Sequence, residues 1–156
     1  MTTSNDAPSP DAAAPIEPNI LGDRLLPVPE PEHAPYWDAL RAGELRIQRC
    51  TSCDTLRHSP QPMCPRCRGS EYEWALMSGR GEVYSYVVTH QATNAAFRDK
   101  TPFATVLIQL EEGPRMASNL VDVSPEDIEI GLPVEVVFHP VTDEITLPLF
   151  RRNTSN

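Results

Sequence analysis

All four cysteines of this 156-residue chain fall in one stretch, "CTSCDTLRHSPQPMCPRC", residues 50–67. They form two C-x2-C pairs, Cys50/Cys53 and Cys64/Cys67, with ten residues between them. Thiolates are soft donors, and two turns that each present two sulfurs supply the tetrahedral shell that Zn²⁺ prefers. The ten-residue spacer is long enough to turn and bring the second pair opposite the first, and Pro65 stiffens the "CPRC" turn. A catalytic zinc keeps an open coordination position, whereas four cysteines close it. The expectation is therefore a structural Zn²⁺, one per chain, on Cys50, Cys53, Cys64 and Cys67, with iron in the same thiolate cage as the alternative metal. A redox role for one pair would want a strand–helix context, and "CPRC" lies among strands and turns. Zinc binding to such motifs is worth on the order of 10–16 kcal/mol in peptides, which becomes folding free energy for a module with little core. Backbone N–H groups of the knuckles, with Arg49, Arg66 and Arg68 nearby, would offset the charge of the thiolate centre.

Outside this cluster the chemistry-bearing residues are scattered. His33, His58, His90 and His139 show no ligand spacing, and His90 closes a strand near Gln91 and Asn94. Ser78 in "MSGRG" lacks the G-x-S-x-G elbow of a nucleophile; Gly79 and Gly81 there read as a bend, with a phosphate nest around Arg80 as the weaker reading. Glu111–Glu112, Glu126–Asp127 and Asp143–Glu144 read as turns and solvated edges. No catalytic constellation emerges.

The elements that must hold the cysteines follow from local pattern. Residues 1–26 form an Ala/Pro-rich arm without periodicity, expected to be disordered. Residues 27–45 start as a proline-rich extended segment and become a short helix in "YWDALRAG", with Pro35 in its first turn and Gly43 as its stop. Tyr36, Trp37 and Leu40 give that helix an apolar side, which either packs on its own domain or docks a partner. Residues 46–78 form the metal ribbon, entered by a strand in which Leu45 and Ile47 alternate. Residues 79–152 carry about five strands: "EVYSYVVTHQA", a hairpin over "PFATVLIQLEEGPRMASNLVDV", then "PVEVVF" and "ITLPLF", with Ser124 as a cap for the short connection. Five short strands without a helical layer predict a mainly β chain ending in a small barrel. An OB-type barrel fits the count, and an SH3-like barrel competes.

Formal net charge is −9, unevenly placed: −5 over residues 1–43, +1 over 44–78 and −5 over 79–156. Phosphate-backbone binders carry a basic stripe, so this distribution weighs against nucleic acid. Tyr84, Tyr86 and Phe103 could stack bases, with positions 84 and 86 expected on one strand face, but little Lys or Arg surrounds them. No apolar run reaches the ~20 residues of a membrane span. The N-terminus lacks the basic and apolar parts of a secretory signal. The expected compartment is the cytoplasm, where thiols stay reduced and bind metal.

The ordered series "YWDALRAGELRIQRCTSC", "CPRC", "SGRGEVYSYVVTH", "EIGLPVEVVF" and "LPLF" resembles the zinc-ribbon/OB-fold family known as domain of unknown function thirty-five, over roughly residues 27–151. The resemblance implies an N-terminal helix, a rubredoxin-like zinc ribbon and an OB barrel, with Cys50, Cys53, Cys64 and Cys67 as the ligands. It also implies a non-catalytic partner of acyl-CoA enzymes: thiolases, thiolase-like aldolases, acyltransferases or MaoC-type hydratases. In that setting the mildly basic ribbon, through Arg66 and Arg68, would face the phosphates of CoA. Arg80 matches a recurring family position without an assigned role. A nucleic-acid-binding ribbon/barrel protein is the alternative function.

Overall fold

A computed structural model describes residues 26–91, 93, 97 and 100–154. The expected arm lies outside the described residues except for Leu26. After a 3-10 turn at Pro31–His33 comes α1, Ala34–Arg41, with Pro35 in its first turn, where a missing N–H costs nothing. The helix closes where Ala42 N–H donates to Asp38 O at 3.1 Å, and Gly43 turns away at φ +76°. Tyr36, Ala39 and Leu40, spaced i, i+3, i+4, form its buried stripe.

β1 (Arg46–Cys50), β2 (Leu56–Arg57) and β3 (Tyr72–Leu76) form an antiparallel sheet in the order β2-β1-β3. β4 (Arg80–Thr89), β5 (Phe103–Leu110), β6 (Arg115–Ser118), β7 (Pro133–Pro140) and β8 (Thr146–Arg152) form a second sheet in the order β6-β5-β4-β7-β8. β4 is long enough to pair with β5 over most of its length and with β7 through Arg80–Glu82. The sheet curls until its two ends meet: Leu120 bridges Phe150, and Phe150 N–H donates to Asn119 O at 3.0 Å. This is the five-stranded OB-type barrel, reached by alternation in β5, where Ala104, Val106, Ile108 and Leu110 point inward and are buried.

The barrel interior, the buried face of α1 and the start of the ribbon share one core. Leu40, Leu45, Ile47, Val83, Ile108, Leu110, Val134 and Phe150 are each at most 1% exposed, and α1 packs against β1, β7 and β8. Helix, ribbon and barrel are thereby locked together by apolar burial, worth roughly 1.5–3 kcal/mol per large side chain.

The ribbon hands over to the barrel through "SGRG". Gly79 has φ +76°, and a Cβ there would lie 2.4 Å from Val136 Cγ1; one on Gly81 would lie 2.4 Å from Gln109 O. Gly79 takes the bend read from sequence, whereas Gly81 lies inside β4, paired with Leu110 and Val134, and is required there by close approach instead. Ser78 N–H and Oγ reach Glu112 and Glu111, and Arg80 Nε donates to both Glu111 oxygens at 3.0 and 3.1 Å. Ser78 and Arg80 thus latch the ribbon exit to the β5–β6 turn, a structural role rather than a phosphate nest. Ser124 corrects another expectation: its side chain makes no capping bond, and the Pro125–Asp127 turn closes through Asp127 N–H to Ser124 O at 2.9 Å.

Candidate metal centre

Each cysteine pair sits on a turn built the same way. Cys50 ends β1; its N–H donates to Thr55 O at 3.0 Å, and Asp54 N–H returns to Cys50 O at 2.9 Å. In the second turn Cys64 N–H donates to Gly69 O at 2.9 Å, and Arg68 N–H returns to Cys64 O at 2.9 Å. The residue after each second cysteine, Asp54 or Arg68, takes the left-handed conformation, φ 58° and 65°. The C-x2-C repeat of the sequence is therefore a repeat of backbone geometry, two knuckles that face each other. A Cβ on Gly69 would lie 3.3 Å from Ser52 Oγ and 3.4 Å from Cys67 Sγ, so the missing side chain lets the knuckles close.

The four Sγ atoms all lie within 4.8 Å of one another. Cys50 and Cys67 sulfurs are 3.5 Å apart, and those of Cys53 and Cys64 are 3.7 Å apart. A disulfide needs about 2.05 Å, and all four thiols are free. Metal–sulfur bonds of about 2.3 Å in a tetrahedron put sulfurs about 3.8 Å apart, so this donor set fits Zn²⁺ and, by the same geometry, iron. Cys50 and Cys64 are buried, Cys53 is half-buried and Cys67 exposed. Three of the thiols are shifted, and not all in one direction. Backbone N–H groups of Cys67 and Arg66 aimed at its sulfur pull Cys64 down to about 6. Cys53 is also lowered, first by Thr55. At Cys67 the Gly69 amide favours the thiolate, yet Cys53, Cys50 and Cys64 together with burial push it up to about 12. Four thiolates at this spacing need a cation among them.

The structure brings together the four predicted ligands and leaves the other singled-out residues around them. Arg66 and Arg68 are exposed on the second knuckle and form no ion pair among the described residues. Arg49 pairs with Glu73 across β1–β3. Tyr36 and Leu40 are 7% and 0% exposed inside the chain's own core. The own-domain reading of the helix therefore accounts for them, and neither offers surface to a partner with α1 in this place. Trp37 is half-buried, edge-on to Tyr36 at 5.4 Å. His58 stays away from the thiols and meets Tyr36 Oη at 3.4 Å. Its protonation is disfavoured by burial. His90 is exposed beyond β4. The expected tyrosine platform is also corrected. A bulge between Val83 and Ser85 sets Val83 opposite Ile108 and Tyr86 opposite Val106, so Val83 and Tyr86 share a face and Tyr84 leaves it. Tyr84 is covered by the Arg115 guanidinium 3.4 Å from its ring.

Two residues not singled out from sequence are Gln48 and Arg57. Gln48 is 2% exposed and Arg57 6% exposed; Gln48 Oε1 accepts from Arg57 Nε at 2.7 Å and from Gln61 N–H at 2.9 Å. The available signal was parity: Gln48 lies two residues before Cys50 and so shares its strand face.

A rubredoxin-like thiolate ribbon running into an OB barrel, with a helix closing the barrel, defines the class of protein. The comparison with known families agrees. Residues 37–73 match "ChsH2, rubredoxin-like zinc ribbon domain", and residues 74–139 match "ChsH2, C-terminal OB-fold domain". The chain belongs to this zinc-ribbon/OB-fold family, DUF35. It is 40% identical over 128 residues to a probable enoyl-CoA hydratase alpha subunit of Thermomonospora curvata, matching 82% of this chain but only 40% of the longer relative. It is 39% identical over 97 residues to a DUF35 domain-containing scaffold protein of Methanocaldococcus jannaschii, covering 62% of this chain and 68% of that one. Among solved structures, one chain of "Ltp2-ChsH2(DUF35) aldolase" superposes with a TM-score of 0.71 at 39% identity, covering 81% of this chain and 98% of that one.

Proposed function

We propose that this chain is a non-catalytic accessory subunit of an acyl-CoA-processing complex, joined to a thiolase-like enzyme (thiolase, aldolase or acyltransferase) or to a MaoC-type hydratase. The observation that carries this reading is the match to nearly the whole DUF35 chain of an aldolase assembly, 98% of it at 39% identity. The donor set supports it: four thiolates close a metal's shell to substrate, so the ion holds the ribbon together and performs no step. Zn²⁺ is the proposed metal, one per chain, supported by four free thiols whose sulfurs lie within 4.8 Å of one another. Free thiols also suit a reducing compartment, proposed as the cytoplasm. Among the described residues no helix is long and apolar enough to cross a membrane.

In this reading the exposed Arg66 and Arg68, on a knuckle beside the partner's channel, attract CoA phosphates. Exposed guanidiniums without carboxylate partners are suited to phosphate. The test is to isolate the tagged chain from its host, then assay the enzyme that accompanies it alone and recombined. The reading expects activity or stability to depend on this chain. Arg66→Glu with Arg68→Glu should weaken acyl-CoA affinity of the complex several-fold, more at low salt than at high. Affinity unchanged in titration calorimetry would remove the CoA role and leave the scaffold role standing.

A further inference from the structure

Arg57 is buried and lacks a carboxylate partner. Arg41, Arg46, Arg49, Arg80 and Arg151 each pair with an acid, and all are far more exposed than Arg57 at 6%. Its Nε is fixed on Gln48 Oε1, but Nη1 and Nη2 are buried with no acceptor among the described residues. A buried cation left unpaired is costly, and native structures keep one only where something nearby answers it.

The strand register says where the guanidinium lies. Arg57 on β2 is directly opposite Gln48, and Cys50 on β1 is directly opposite Tyr72 on β3. Directly opposed residues share a sheet face, as do residues two apart along a strand. Arg57, Gln48, Cys50 and Tyr72 therefore occupy one face. β2 and β3 flank β1 on opposite sides, yet the Arg57 guanidinium carbon lies 5.3 Å from the centre of the Tyr72 ring. The side chain must cross β1 on the face that carries the Cys50 thiol. The acid nearest in this register, Glu73, is opposite Arg49 on the reverse face and is already paired. Of the groups this register sets on the face of Arg57 (Gln48, Trp74, Cys50 and Tyr72), Cys50 alone belongs to an anionic centre, and a four-thiolate cage loaded with a divalent ion carries two net negative charges.

We propose that Arg57 is the internal counter-cation of the metal–thiolate centre, laid across β1 against Cys50 and held in place by Gln48 and the face of Tyr72. The proposal rests on the metal reading of the four cysteines. Arg57 acts as a positioning and charge-balancing residue, not as a ligand. It favours the thiolate forms, slows metal loss and stabilises the more negative state of any redox-active metal placed in the cage. Gln48 ties it to the loop between the knuckles, because the same oxygen accepts from Gln61 N–H.

The test uses the full chain loaded with Zn²⁺, Co²⁺ or iron. Wild type should bind one ion per chain. Arg57→Met should weaken Zn²⁺ and Co²⁺ about 10–100-fold in chelator competition, the range of outer-shell partners, and lower the midpoint potential of the iron-loaded form. Arg57→Lys, which keeps the charge, should restore most of both. If Arg57→Met does not fold, Gln48→Glu serves: it leaves Arg57 in place but gives it a carboxylate, and should likewise weaken the metal and lower the potential. Wild-type affinity and potential in Arg57→Met, or in Gln48→Glu, would overturn the proposal, whatever happens to thermal stability. Failure of the wild-type chain to bind metal would overturn the metal reading itself.

Discussion

At the scale of single residues, the metal centre is four thiols whose charges oppose one another until a cation arrives. Backbone N–H groups of Cys67 and Arg66 hold Cys64 down at about 6, whereas against the pull of the Gly69 amide the neighbouring thiols push Cys67 up to about 12. Removing metal with a strong chelator should unfold the ribbon, seen as loss of near-ultraviolet signal from Trp74 and Tyr72, which meet edge-on at 5.9 Å. Cys64→Ser should do the same without chelator, since the structural ion supplies folding free energy. His58 gives a separate handle. Burial against Tyr36 lowers its folded pKa, so the unfolded chain binds the proton more readily. Stability from this site is full above the ordinary value near 6.5 and declines as pH falls through it toward the lowered folded value. His58→Gln should flatten melting temperature between about pH 7 and 5. The cysteines were legible because spacing alone encodes a tetrahedral shell. Arg57 was not, because a cation on a two-residue strand leaves no periodic trace, and its burial depends on β3, which begins at Tyr72 fifteen residues further on.

At the scale of elements, α1 decides whether the helix belongs to this domain or to an interface. Leu40 fills the shared core at 0% exposure, so Leu40→Ala should cost about 2–5 kcal/mol in denaturant unfolding of the chain. Normal stability with a lost partner would instead mark the helix as an interface. β1 was readable from the alternation of Leu45 and Ile47, β4 to β8 from short runs rich in β-branched and aromatic residues bounded by Gly and Pro, and "EEGP" from turn chemistry. β2 and β3 were not assigned: β2 has two residues, and β3, "YEWAL", is partly exposed along both faces. The β4 bulge was equally invisible, since an inserted residue changes facing without changing composition. "SGRG" was legible as a bend but not as a latch, because its partners Glu111 and Glu112 come from the far end of β5. The latch predicts that Arg80→Ala lowers the melting temperature at neutral pH and that the difference from wild type vanishes in acid. Arg80 holds the Glu111 carboxyl below the usual range, so this contribution is present above ordinary carboxylate pH and lost as pH falls through the lowered value. Both side chains are exposed, and the effect should shrink in high salt.

At the scale of the molecule, helix, ribbon and barrel share one core, so the described residues form one packed body with a four-thiol site and an acidic barrel. Such a body is suited to being held against another protein. Its family membership rests on both modules in order, residues 37–73 and then 74–139. The order of pieces was visible in sequence, whereas the mutual packing that makes them one body was not. Such a body fits the role proposed for it, a subunit of an acyl-CoA enzyme. The most direct measurement is native mass spectrometry of the tagged full-length chain purified from its host. A heteromeric assembly containing a thiolase-like or hydratase-like subunit in fixed ratio, with one zinc per copy of this chain, is expected. A chain that emerges alone, or bound to nucleic acid without such an enzyme, would contradict it.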